Sequence, residues 1–148
     1  LLWRGDRVGT VPLDSLICEL AEELVAQSPG HHLSCAIAPI ELDADTAIPL
    51  GLMVTELVTN ALKYAYDMPG GEIAVEIEAE NAQLSLTVRD RGRGLPPGVA
   101  FDGRGSASLG TRIIASTARQ LRGRLEVEDA APGTAIRFVM PMPVPRVR

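Results

Sequence analysis

Glu56-Leu57-Val58-Thr59-Asn60-Ala61-Leu62-Lys63-Tyr64-Ala65 closes a long apolar run that opens near Asp45. Ile48, Leu50, Leu52, Met53, Val54, Leu57, Val58, Ala61, Leu62 and Ala65 recur through it, which predicts a helix from Asp45 to about Tyr66. Pro49 falls in the expected first turn, where a missing N–H costs little. A helix that is apolar almost all round belongs in an interior. Against that background Glu56, Asn60, Lys63 and Tyr64 stand out. At ~100° per residue they share one narrow face. A buried carboxylate, amide and ammonium need each other or a ligand. The same stripe also reads as the solvated face of an amphipathic helix.

Downstream, Pro69-Gly70-Gly71 breaks the helix. Ile73, Val75 and Ile77 then alternate with Glu72, Glu76 and Glu78, and Leu84, Leu86 and Val88 with Ser85, Thr87 and Arg89. Two strands with one apolar face result, turned around Glu80-Asn81-Ala82. Residues 90–108 read as a loop rich in Gly, Pro and Asp. A helix follows from about Ser108 to Arg122, with Leu109, Ile113, Ile114, Thr117 and Leu121 inward and Gly123 at its C-terminal cap. Arg124 to Glu128 and Thr134 to Met140 read as a last strand pair joined across Pro132-Gly133.

Upstream, Leu13, Leu16, Ile17, Leu20, Leu24 and Val25 recur at helical spacing, with Asp14 or Ser15 as a cap and Ser28-Pro29-Gly30 as a stop. Leu33 to Ile40 reads as a strand. The sum is an α/β chain: a two-layer sandwich with a mixed, mostly antiparallel sheet and three helices on one face. Residues 1–12 form an approach segment, 13–141 the domain, and 142–148 a tail that frays. The chain begins at Leu1 rather than Met, as expected of a piece of a longer protein.

Composition narrows the function. The chain has 148 residues and a net charge of -5, so its general field repels nucleic acid. Aromatics make up 3%, too few for a base-stacking surface. No apolar run approaches the ~20 residues of a membrane span. Cys18 and Cys35 lack metal-ligand spacing and read as core thiols of a reducing cytoplasm. His31 and His32 read as an exposed loop before a strand. Arg112, Arg119, Arg122 and Arg124 read as a basic edge, either a solvated face or a dock for an acidic partner.

Two further features concern phosphate and base recognition. Asp90-Arg91-Gly92-Arg93-Gly94 follows a strand, where alternate glycines let a backbone approach a flat ligand and an aspartate can accept from an exocyclic amine. Gly103, Gly105 and Gly110 bracket a helix start, whose free N–H groups suit phosphates. Each alone also reads as an ordinary turn or loop.

Together and in order, these motifs resemble those of the sensor histidine kinases. Residues 56–65 resemble the family's N box, residues 90–95 its first glycine box, and Ser108-Leu109-Gly110-Thr111-Arg112-Ile113-Ile114 its second. Gly133-Thr134, with Ile136, Phe138 and Pro141, resembles its closing strand. The wider superfamily includes DNA gyrase, the Hsp90 chaperones and the mismatch-repair ATPases. The short span between glycine boxes resembles the short-lid subgroup. One branch of that subgroup has His before the N-box Glu, whereas this chain has Thr55. Ser108 stands where many members have a first glycine, which bears on the lid and the phosphate grip and not on adenine binding.

The resemblance implies ATP and Mg²⁺ as cofactors. It implies Glu56 as general base or polarising carboxylate, and Asn60 as the Mg²⁺ ligand and second catalytic residue. Lys63 would meet phosphates, and Tyr64 the adenine or ribose. Asp90 would take the adenine amine, with Gly92 and Gly94 beside the base. Leu109 and Gly110 would border the phosphates, and Thr134 would support Asp90 through its hydroxyl. The reaction implied moves the ATP γ-phosphate to a histidine on a dimerisation domain outside this chain, with a response regulator downstream. Neither His31 nor His32 matches the acceptor's setting. A cytoplasmic domain with no membrane contact is implied. An anti-sigma factor serine kinase of the same fold and a nucleotide-binding pseudokinase are the alternatives.

Overall fold

A computed structural model of the chain describes residues 9–64, 71–92, 109–129 and 133–142. Its elements are β1 (Thr10–Pro12), α1 (Leu13–Ala26), β2 (His31–Ile37), β3 (Glu41–Asp43), α2 (Ala44–Tyr64), β4 (Gly71–Glu80), β5 (Gln83–Asp90), α3 (Leu109–Gln120), β6 (Arg124–Asp129) and β7 (Thr134–Pro141). Five strands form one sheet in the order β2-β4-β5-β7-β6. Among the described residues only β2 and β4 run parallel; the other three pairings in this sheet are antiparallel. The mixed, mostly antiparallel sheet with three helices is the expected architecture.

The alternation along the strands decides which face is covered. Ile73, Val75 and Ile77 of β4, Leu84, Leu86 and Val88 of β5, and Ile136, Phe138 and Met140 of β7 are all buried. They meet Leu50, Met53, Val54 and Leu57 of α2, Ile17 of α1 and Ile114 of α3 in one core. Each such side chain removed from water contributes roughly 1.5–3 kcal/mol before entropy is charged against it. The opposite face keeps its charges in water and pairs some across strands, as Arg89 with Glu76 at 3.5 Å and Arg137 with Glu126 at 3.4 Å.

Several local details differ from expectation. Three residues at the end of the approach segment form β1 and pair antiparallel with β3. Neither strand has the length for periodicity to reveal it. The N-cap of α1 is Pro12, with no side-chain cap. The Leu13 N–H instead donates to the Ile40 carbonyl at 2.8 Å, a long-range partner that satisfies an orphan helix donor. His31 and His32 are the first residues of β2, paired with Gly71 and Glu72, so the strand starts two residues earlier than expected. Because α2 starts at Ala44, Pro49 lies inside the helix, beyond its first turn. Leu109 is 71% exposed and not inward, while Thr111 and Ala118 are buried.

The turns show how backbone chirality is handled. Asn81 and Ala82 join Glu80 to Gln83 with φ of 52° and 61°, the signature of a two-residue primed hairpin turn. At the end of α3 the left-handed residue is Arg122, with φ 59°, and not Gly123. The Gly123 N–H donates to the Ala118 carbonyl at 2.9 Å and the Arg122 N–H to Arg119 at 3.1 Å, which is a Schellman cap. Gly123 is needed for space: a Cβ there would overlap the Phe138 ring and sit 2.6 Å from the Val139 carbonyl oxygen.

Candidate functional site

The inner face of the sheet ends in polar groups. On β5 the buried series Leu84, Leu86, Val88 continues to Asp90, which is also buried. On neighbouring β7 the series Met140, Phe138, Ile136 continues to buried Thr134. An aspartate in a row reserved for core residues loses its hydration and requires donors. Two backbone groups supply them: the Gly92 N–H donates to Asp90 Oδ1 at 2.9 Å, and the Thr134 N–H to the same oxygen at 3.3 Å. Among the described residues, Oδ2 accepts no hydrogen bond. Burial pushes the Asp90 carboxyl above its ordinary range, and the two amide hydrogen bonds offset part of that rise. Thr134 meets Asp90 through its backbone N–H and not, as the resemblance implied, through its hydroxyl.

Gly133 makes this approach possible. Its φ is 93°, and a Cβ there would overlap the Asp90 carbonyl and lie 2.7 Å from Arg91 Cα. Any side chain would push the start of β7 off the end of β5. The motif reading singled out the Gly133-Thr134 pair but gave Gly133 no role. The signal was present: a glycine immediately before a strand that must touch a buried carboxylate.

Glu56, Asn60, Lys63 and Tyr64 all lie on α2, in its last two to three turns. Glu56 is half-buried, Asn60 buried and Lys63 exposed, so the stripe dips inward at Asn60 and reaches the surface at the helix end. α2 sits between α1 and α3 and packs on β4 and β5. The helix therefore rests on the strand that ends in Asp90. No hydrogen bond between described residues joins the stripe to the Asp90 cluster. Thr55 turns its hydroxyl back on its own helix, Oγ1 donating to the Gly51 carbonyl at 2.9 Å.

Gly110 is the second residue of α3, half-buried, beside exposed Leu109. Gly94, Gly103, Gly105 and Ser108 lie outside the described residues, as does the Tyr64 side chain. The structure thus brings together Asp90, Gly92 and Thr134 directly, and Glu56, Asn60 and Lys63 along one helix.

Among the described residues no helix is long and apolar enough to cross a membrane. No group of three or more His, Cys, Asp or Glu side chains converges on one point there.

Known proteins match the chain in sequence and in fold. Residues 45–144 match the family model described as histidine kinase-, DNA gyrase B-, and HSP90-like ATPase. Sensor histidine kinase PdtaS of Mycobacterium tuberculosis is 39% identical over 92 residues, 60% of this chain and 18% of that protein. Blue-light-activated histidine kinase 2 of Erythrobacter litoralis is 31% identical over 105 residues, 70% of this chain and 30% of that protein. The histidine kinase domain of the Erythrobacter litoralis EL346 blue-light activated histidine kinase superposes with a TM-score of 0.81 at 26% identity, covering 89% of this chain and 62% of that one. The chain spans about a fifth to a third of the length of the curated relatives it matches.

Proposed function

The chain belongs to the histidine kinase-, DNA gyrase B- and HSP90-like ATPase family, and on that premise we propose that it is the ATP-binding catalytic domain of a two-component sensor histidine kinase. Its reaction moves the γ-phosphate of ATP to a histidine on a dimerisation domain of the parent protein, and a response regulator receives the phosphoryl group next. A cytoplasmic, short-lid domain is part of the same reading.

The observation that carries it is the Asp90 carboxylate. One oxygen is held by two backbone N–H groups, and the other faces no described donor. Such a group suits an exocyclic amine, which adenine has at the position where guanine presents a carbonyl. Gly92 and Gly94 let the backbone pass beside the base. Tyr64 packs near adenine or ribose, and Lys63 meets phosphates as a point charge. Leu109 and Gly110, at the start of α3, present the helix N-terminus to phosphate oxygens.

Asn60 is the residue that would hold Mg²⁺, which supplies charge neutralisation at the phosphates. One amide oxygen with Glu56 a turn away is a sparse oxygen set. It fits an ion that keeps several waters and takes its other ligands from substrate phosphates. Glu56, half-buried one turn before Asn60, accepts a proton from the acceptor imidazole or polarises it. Catalysis here is mainly positioning and electrostatic stabilisation, so the chain's own task is to orient the nucleotide for a nucleophile delivered from outside.

Labelled ATP supplied to the parent protein tests the reading. Expected are acid-labile, alkali-stable phosphate on protein, as an N–P bond gives, and its loss in Glu56→Gln with ATP binding retained. Acid-stable phosphate on a partner serine would favour the anti-sigma type of kinase instead. Signalling that survives Glu56→Gln would favour a nucleotide-holding pseudokinase.

A further inference from the structure

Cys18 lies on α1 and Cys35 on β2, with their sulfurs 2.7 Å apart. Both are half-buried, so the pair lies near the surface and within reach of a small oxidant. Cys35 belongs to the inward row Leu33, Cys35, Ile37 of β2, which packs against the core. Among the described residues β2 is an edge strand, tied to the sheet through β4, and α1 covers it. Between the two cysteines run the second half of α1, the turn of residues 27–30 and the first half of β2. Closing the ~2.05 Å bond of a disulfide needs sulfur movement well under an ångström.

We propose that Cys18 and Cys35 are a redox modification site, a dithiol that closes to a disulfide and staples α1 to the edge strand. The oxidant is hydrogen peroxide. The Cys18 thiolate attacks a peroxide oxygen, the O–O bond breaks, and the departing hydroxide takes up the proton that the Cys18 thiol released, to leave as water. Cys18 is then a sulfenic acid. The Cys35 sulfur attacks the Cys18 sulfur, the S–O bond breaks, and the hydroxide leaves as water with the Cys35 proton. Two thiols lose two electrons, and one peroxide becomes two waters. Burial first, then the facing sulfur and Glu22, push the Cys35 thiol up to about 12. Cys35 therefore suits the second step, where its proton passes to the leaving hydroxide, better than the first.

The staple stands apart from the Asp90 and α2 groups, so its test does not depend on nucleotide binding. The chain is treated with hydrogen peroxide, and free thiols, intact mass and melting temperature are measured before and after a dithiol reductant. Expected are loss of both thiols, a mass lower by two hydrogens, a monomer on a non-reducing gel, and a melting temperature raised by about 10 °C and reset by the reductant. Cys18→Ser and Cys35→Ala should each abolish the oxidant-dependent rise; the pair guards against one variant failing to fold. Two thiols surviving, oxygen added without bridging, disulfides only between molecules, or a bridge that does not raise the melting temperature would each overturn the proposal.

Discussion

Replacing Asp90 by asparagine separates binding from stability. The asparagine oxygen can still accept from the Gly92 and Thr134 N–H groups, which hold Oδ1 at 2.9 and 3.3 Å. The buried charge disappears, so the cost of desolvating it disappears too. Stability should change by less than about 1 kcal/mol, or rise. The second oxygen, however, becomes an NH₂ donor facing the adenine amine, also a donor. A charge-assisted bond worth about 1.5–3 kcal/mol is lost, or about a 10- to 100-fold rise in Kd. Asp90→Ala is the cruder variant. It strands the buried Thr134 N–H and the half-buried Gly92 N–H, at about 1–3 kcal/mol for the buried one, and lowers the melting temperature as well. The assay is calorimetric ATP titration alongside thermal melts of all three proteins. An Asp90→Asn variant that melts like wild type and binds ATP within threefold of it would refute the assignment of adenine to Asp90.

Three other outcomes follow from the geometry. Gly133→Ala should destabilise the chain by at least about 2 kcal/mol in urea unfolding, since the new methyl meets the backbone of Asp90 and Arg91 at a positive φ. Ala82→Gly should stabilise by about 1 kcal/mol in the same assay, because alanine is held at φ 61° in the hairpin turn. Asp90 holds its proton more tightly folded than unfolded. Its contribution to stability is therefore full below the ordinary carboxylate pKa and is lost as pH rises through its raised value. Adenine needs the ionised form, so ATP binding should strengthen over that same window. Wild-type and Asp90→Asn stability curves that stay parallel across it would contradict this.

The fold was legible where periodicity is strong. Ile73-Val75-Ile77 and Leu84-Leu86-Val88 alternate over enough residues to fix strand and face together, and α2 and α3 are long enough to show their helical period. What was not legible depends on contacts far apart in sequence. β1 and β3 are three residues each and exist through pairing with each other. The cap of α1 is the carbonyl of Ile40, which no local motif announces. The Schellman cap places Arg122, not the glycine, in the left-handed region, because Gly123 is reserved for contact with Phe138. At the site, Asp90 and Thr134 were nameable from motifs. That both continue the core-facing rows of adjacent strands, joined by a backbone amide, required the register.

The most direct test of the central claim is calorimetric titration of the folded chain with ATP and then GTP, both with Mg²⁺. Expected is one site that binds ATP, with GTP weaker by at least about tenfold because guanine offers Asp90 a carbonyl in place of an amine. A folded chain that binds neither nucleotide, or binds both equally, would contradict it.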